Sequence, residues 1–320
     1  MSTPEKLLQM VIAVAIFFGV VAVILVSTQR IRSRRGELVQ AGAFVLPAVL
    51  LIVIGLLYPA IKTIYLSFTK GPVNRTSFAG VDNYKTIFTN KADLTVLENT
   101  AMWVIITPIL ATLIGLVYAV LVDRARLEKL AKALIFLPMA ISLVGASIIW
   151  KFVYDPKIGI LDAITGKLGL GSNHTWYASL SSHPWNNLWL IVILIWVQTG
   201  FAMTVLSAAI KAIPADIVEA ARLDGVGALQ MFRHITVPSI RPTLIVVLTT
   251  ITITTLKAFD IIQTIAAGGA YHTSVLAYEF YFQQFKAFNT GLASALAVLI
   301  FVLVMPIVIY NVRQMRKAAA

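Results

Sequence analysis

Seven stretches of this 320-residue chain are each long and apolar enough to cross a lipid bilayer. A spanning helix needs about 20 mostly apolar residues. The stretches fall near 8–27, 41–68, 100–122, 133–153, 188–210, 243–265 and 292–312. Inside lipid the backbone must satisfy its own N–H and C=O groups, and a helix does so within one segment. The expectation is an all-α polytopic membrane protein with about seven transmembrane helices. Pro47 and Pro59 interrupt the second stretch, "VLPAVLLIVIGLLYPAIKTIYLSF". Prolines are tolerated in membrane helices because neighbours re-satisfy the freed carbonyls.

Composition agrees: 59% of the chain is hydrophobic and only 12% charged, against about 25% charged in soluble domains. The absence of cysteine excludes a disulfide framework, a thiolate metal site and a thiol nucleophile. A net charge of +12 suits nucleic acid or a membrane surface equally well, so the positions of the charges decide. When the connections are numbered alternately, one set holds most of the 26 lysines and arginines, in clusters at 30–35, 124–132, 211–241 and 313–317. Cytoplasmic connections carry this excess. The expected orientation therefore puts the N-terminus outside and the C-terminus in the cytoplasm. No basic stripe interleaves with aromatics, so the charge reports topology and no nucleic acid partner is expected.

The first stretch could instead be a secretory signal. Its basic run "RIRSRR" follows the apolar segment, the segment is too long for a signal core, and no A-x-A site ends it. An uncleaved anchor is expected.

No catalytic constellation is present. His174, His183, His234 and His272 lack H-E-x-x-H spacing, and neither G-x-x-x-x-G-K-[ST] nor G-x-S-x-G occurs. No catalytic residue and no metal site are expected. Two charges, Lys257 and Asp260 in "TTLKAFDIIQT", fall inside the sixth stretch. Three apart on a helix, they share a face and can pair. A rise of about 1.5 Å per residue puts Lys257 roughly 22 Å from Pro242. An intramembrane charge is a functional hypothesis by default; the alternative is a structural ion pair. Thr250, Thr252, Thr254, Thr255 and Gln263 extend a polar seam, and Gln198 and Thr199 add polar groups to the fifth stretch. Such groups line a cavity or hydrogen-bond between helices.

Between the fifth and sixth stretches lies "IPADIVEAARLDGVGALQMFRHITVP". Pro214 suits a helix's opening turn, Asp216 and Glu219 suit its positive end, and Gly225 suits its stop. A second helix follows, with Leu229, Phe232 and Ile235 at helical spacing and Pro238 breaking it. A helix of about 11 residues is marginal alone in water. An interfacial helix lying on lipid would have a basic polar face opposite bulky apolar residues. Small alanines and an acidic first turn favour a protein partner instead.

Glu219-Ala220-Ala221, then Asp224-Gly225, then Ile235 and Pro238 resemble the EAA loop of ABC-importer permease subunits. "FLPMAISLVGASIIWKFVYDP", "LIWVQTGFAMTVLSAAIKAIP" and "LKAFDIIQTIAAGG" are similar to carbohydrate permeases, those for alpha-glucosides looking closest. The resemblance implies a type I importer fold. Residues 1–40 would be an additional anchor with a basic linker. Residues 41–320 would be a six-helix core with a coupling loop at 212–241. It implies a bacterial inner-membrane location, a second permease subunit forming a heterodimer, an ABC ATPase dimer that holds ATP and magnesium, an external sugar-binding protein, and a sugar substrate within membrane lipid. No cofactor is implied in this chain. Glu219, Ala220, Ala221, Asp224, Gly225 and Pro238 would couple to the ATPase. Gln198, Phe201, Thr254, Thr255 and Ala258, with Lys257 and Asp260, would line the pathway. Ala270 stands where the family's G-G-P carries proline. The rival readings are a secondary transporter, which would show an inverted repeat and more intramembrane charge, and a membrane scaffold protein.

Overall fold

The computed structural model describes residues 34–71, 77–122, 127–171, 173–179, 181, 183–266 and 268–319, with scattered residues between 11 and 22. The expected first span, its basic linker and residues 123–126 lie outside the described residues. The chain divides into two compact units, 1–65 and 66–320. The boundary at 40/41 expected from the sequence falls within the helix that starts at Arg34.

In the first unit, α1 (Arg34–Ile52) runs into a π-turn, Val53–Leu57, and then α2 (Tyr58–Leu66). A π-turn loosens the i→i−4 ladder, and here only Tyr58 separates it from Pro59, which has no N–H to offer the ladder. Leu46, Leu51, Ile54 and Leu56 are all more than half exposed. A helix apolar on every side belongs in lipid or against another chain.

The second unit opens with a two-stranded antiparallel ribbon, β1 (Thr69–Lys70) and β2 (Ser77–Phe78), followed by α3 (Asp82–Thr89). Buried Asn83 ties the ribbon down, donating its amide to the Ser67 and Thr69 carbonyls at 2.8 Å each. The helices α4 (Lys91–Val122), α5 (Glu128–Phe136), α6 (Leu143–Val153) and α7 (Ile160–Lys167) come next. Then α8 (Trp185–Lys211) fills the centre of the unit.

Packing around α8 follows from residue size. Along α4, buried Trp103, Thr107, Ala111, Gly115 and Ala119 recur every four residues and face α8. A Cβ on Gly115 would sit 2.6 Å from the Ala202 Cβ, and one on Gly200 would sit 2.6 Å from the Ile135 carbonyl oxygen. Small residues thus let α8 approach a neighbour on each side, the usual device of helix packing in membranes. Leu190, Leu194, Met203 and Leu206 of α8 complete a core with Trp103 and Ile251.

Two expected spans depart from straight helices. The one at 133–153 is a bent pair: α5 with its 3₁₀ extension Leu137–Ala140 meets α6 at 101°. Pro138 cannot supply the N–H that an α-helix needs, and Ser142 caps the new helix by accepting from the Gly145 N–H at 3.1 Å. The span at 243–265 breaks into α12 (Arg241–Leu256) and α13 (Asp260–Thr264). Before α12 lie α9 (Ala215–Leu223), α10 (Ala228–Met231), a π-turn at Phe232–Thr236 and α11 (Val237–Ser239); after α13 come α14 (Leu276–Phe285) and α15 (Thr290–Ala319). Among the described residues, five helices are long and apolar enough to span a membrane, or six if the bent pair counts as one.

Candidate functional site

The segment joining α8 to α12 is a helix–turn–helix. Pro214 sits at the N-cap of α9. At its other end the Gly225 N–H reaches the Arg222 carbonyl and the Val226 N–H reaches the Ala221 carbonyl, both at 3.1 Å. That double bond pattern closes a helix when the residue after the cap turns at positive φ; Gly225 has φ +75°. Asp224 occupies the C-cap and is exposed. The helix spans nine residues, two fewer than expected. Pro238 does not break the second helix as expected. It lies inside α11, and the widened turn at Phe232–Thr236 precedes it.

Burial sorts this segment into an inner and an outer face. Ala221 and Met231 are buried, and Arg222, Val226, Met231 and Phe232 line a cavity of about 390 Å³ against Val120 and Leu121 of α4. On the other side Glu219 and Ala220 are exposed, with Leu223 89% and Leu229 78% exposed. The structure thus separates Ala221 from Ala220: the first packs inward and only the second is open to a partner.

The segment is mechanically joined to the helices on both sides. Three residues, 212–214, separate it from α8, and Ile240 alone separates it from α12. At the end of α8, Lys211 donates to the Glu128 carboxylate of α5, and Lys132 donates to the same oxygen at 2.8 Å. Lys132 also bonds Ser207.

The expected pathway residues lie on α8, on α12 and in the break after α12. Gln198 is half-buried, and its amide makes no hydrogen bond with the described residues. Phe201 packs against the core that contains Ala258. Thr254 donates to the Thr250 carbonyl at 3.0 Å and Thr255 to that of Ile251 at 2.8 Å. Donation to the preceding turn leaves each hydroxyl oxygen with acceptor capacity.

Lys257 and Asp260 do not form the expected helical pair, because α12 ends at Leu256. No ion pair joins them among the described residues. Lys257 is the C-cap of α12 and Asp260 opens α13. Each charge thus sits at the helix end whose partial charge it opposes. Phe259, between them, stacks on Tyr278 at 5.9 Å and meets Tyr281 edge-on at 4.8 Å.

A second polar cluster has no counterpart in the sequence reading. Asn99 of α4 donates to the His272 and Ser274 carbonyls at 2.8 and 2.9 Å. Its Oδ1 faces the Asn187 amide at 3.1 Å and His183 Nε2 at 3.0 Å. The Trp103 indole donates to Asn187 at 3.1 Å, and Asn186 donates to the Tyr271 carbonyl at 2.6 Å. These side chains clamp the loop that follows α13, where Tyr271 and His272 hold φ of 61° and 58°. The loop carries Ala270 where the resembling G-G-P pattern has proline, and its carbonyls are fastened by three asparagines. The signal lay in "LENTAMW" and "HPWNNLW", where amides stand beside tryptophan at the start of two apolar runs.

A family model for the "binding-protein-dependent transport system inner membrane component" matches residues 101–317. The chain is 43% identical over 279 residues to the osmoprotective compounds uptake permease protein GgtC of Synechocystis sp., covering 85% of this chain and 98% of that one. It is 42% identical over 278 residues to the alpha-glucoside transport system permease protein AglF of Rhizobium meliloti, covering 84% and 80%. A solved bacterial ABC transporter involved in importing the acidic polysaccharide alginate has a chain that superposes with a TM-score of 0.76 at 22% identity. The match covers 89% of this chain and 99% of that one, a likeness of fold.

Proposed function

The chain belongs to the family of binding-protein-dependent transport system inner membrane components, and from that premise we propose that it is the membrane-spanning permease subunit of an ATP-driven carbohydrate importer. An alpha-glucoside or a similar small glycosylated solute is the substrate class, in keeping with the names of the relatives that are 42–43% identical. The chain itself carries no hydrolytic role. ATP and magnesium belong to a separate ATPase dimer, a second permease subunit completes the pathway, and an external binding protein delivers the sugar. The N-terminus lies outside and the C-terminus in the cytoplasm, so the helix–turn–helix faces the ATPase.

The observation that carries this reading is the exposure of Glu219, Ala220, Leu223 and Leu229 on a short folded segment between two membrane helices. Leucines that open to water on so small an element lower their free energy by burial in a partner. Ala220 permits close approach and Glu219 supplies a charge for a basic residue of the groove. Asp224, Gly225 and Pro238 shape the segment, while Ala221 anchors it from within.

Because residues 212–214 and Ile240 are the only joints, a displacement of this segment acts on α8 and α12 together. These helices carry Gln198, Phe201, Thr254 and Thr255, and Ala258 follows immediately. A sugar offers many hydroxyl donors; the threonine oxygens accept, and the Gln198 amide both donates and accepts. Lys257 and Asp260 fix the helix ends at the break. Movement driven by ATPase closure would change the spacing of these groups and expose the site to each side in turn.

The test is Glu219→Lys, with sugar uptake measured in cells and ATPase capture measured on purified complexes. Uptake should be lost with normal insertion, together with weakened capture or uncoupled ATP hydrolysis. Normal uptake with normal association would remove the coupling role.

A further inference from the structure

Asp93 lies in the first turn of α4 and is only 7% exposed. It makes no hydrogen bond or ion pair with the described residues, and the nearby charge acting on it is a second carboxylate, Glu279 of α14. Two neighbouring carboxylates with little access to water repel each other, and a cation between them relieves that repulsion. Asp93 and Glu279 both line a cavity of about 200 Å³, together with Thr95, Ser274, His272 and Asn99. That volume holds several waters at about 30 Å³ each, enough for a partly hydrated ion.

We propose that this cavity binds a hard divalent cation, with calcium as the reference ion, held between the Asp93 and Glu279 carboxylates. The donor set is oxygen-rich, as calcium and magnesium require. Thr95 donates its proton to the Lys91 carbonyl and Ser274 donates its own to Glu279 Oε2 at 3.0 Å. Both hydroxyl oxygens therefore keep lone pairs for a metal. Glu279 is held in place by Ser274 and by Gln283, whose amide donates to Oε1 at 2.9 Å. Among the described residues no three His, Cys, Asp or Glu side chains gather as a metal-ligand set. The anionic charge thus comes from two carboxylates, with neutral oxygens and water filling the shell.

The position gives the ion a structural consequence. His272 and Ser274, which border the cavity, belong to the loop fastened by Asn99. A cation joining α4 to α14 would tie that loop beside the Asn99 clamp, since Asn99 lines the same cavity. The inference rests on the cavity and its carboxylates and is independent of the transported substrate.

The experiment is thermal unfolding of the full-length chain in lipid nanodiscs, in calcium chloride or in EGTA, with ionic strength matched by choline chloride. Saturating calcium should raise the midpoint by roughly 5 °C. Equilibrium dialysis with radioactive calcium should find one ion per chain, bound at least about tenfold more weakly after Asp93→Asn or Glu279→Gln. If Asp93→Asn fails to fold, Glu279→Gln alone carries the comparison. An equal effect of magnesium supports a hard-cation site. No calcium effect on the native chain, or the same effect in both variants, overturns it. So does a stabilisation that follows acid pH alone and vanishes in Asp93→Asn, which would mean a proton occupies Asp93.

Discussion

Asn187 of α8 donates to Asn99 of α4 at 3.1 Å, and Asn99 passes the connection to the carbonyls of His272 and Ser274. One buried amide thus joins two long helices and a loop more than 170 residues away along the chain. Replacing Asn99 with Leu strands the Ser274 carbonyl and leaves that of His272 only a long contact from Asn187 at 3.5 Å, while the Asn187 amide keeps Asn186 at 3.3 Å. A stranded buried group costs about 1–3 kcal/mol, so with two carbonyls affected a loss of about 2–6 kcal/mol is expected. Hydrogen exchange should rise at 268–276 before any other part of the second unit.

Gly200 approaches the backbone of α5 so closely that even a methyl group has no room. Gly200→Ala should destabilise by about 1–3 kcal/mol, the usual cost of overpacking. Since the obstacle is a carbonyl oxygen, no rotamer change relieves it. Gly42→Ala, inside α1 where nothing lies within 4 Å, should cause no destabilisation and serves as the control, since alanine favours a helix interior by about 0.5–1 kcal/mol.

The Lys211–Glu128 contact should matter more for transmission than for stability. Lys211 is about half exposed, and exposed pairs contribute at most about 1 kcal/mol. Lys211→Gln, which leaves the Lys132–Glu128 pair in place, should therefore unfold near the native temperature while lowering the sugar imported per ATP consumed. Unchanged stoichiometry in reconstituted vesicles would exclude a transmitting role for the contact.

Gln198→Ala should reduce uptake without reducing assembly, because its amide has no partner among the described residues to lose. Transport kinetics of the reconstituted complex check this. An unchanged KM and maximal rate would remove Gln198 from the pathway.

Asp162 of α7 accepts from the backbone N–H of His174 and of Asn173 at 2.9 Å each, and from the His174 ring at 3.0 Å. The backbone bond from His174, then that from Asn173, holds its carboxyl below the usual carboxylate range. A depressed folded value means the stabilisation is fully present above the unfolded pKa, near 3.9, and disappears as pH falls through the folded value. Loop 173–177 should keep its exchange protection from pH 7 down to about 5 and lose it below about 4. In Asp162→Asn the protection should be weaker throughout and lack this acid step.

What the sequence made legible was local or periodic. The apolar runs located the five or six spans among the described residues, since a 20-residue hydrophobic stretch has few alternatives to a membrane helix. Pro214 and Gly225 marked the ends of α9 because capping depends on the residues at the end itself. The bend at Pro138 and the break after Leu256 were missed, as hydropathy continues through both. The asparagine clamp was illegible for another reason. Its partners lie 84 to 175 residues apart, and no local pattern encodes which carbonyl an amide will meet. The Lys257–Asp260 pair failed because its spacing presumed a continuous helix, and the helix ends at Leu256, before either charge.

The turn at Gly225 is constrained by handedness and not by room. A Cβ there would meet nothing within 4 Å, so size is no obstacle to a side chain. The penalty for an ordinary L-residue is the conformational one at φ +75°, about 1–2 kcal/mol. Asparagine, which visits that region more readily, should be the mildest natural replacement. Alanine built by semisynthesis in its mirror-image form would be free of that backbone penalty, and its effect would separate the stereochemistry of the turn from everything else glycine does there.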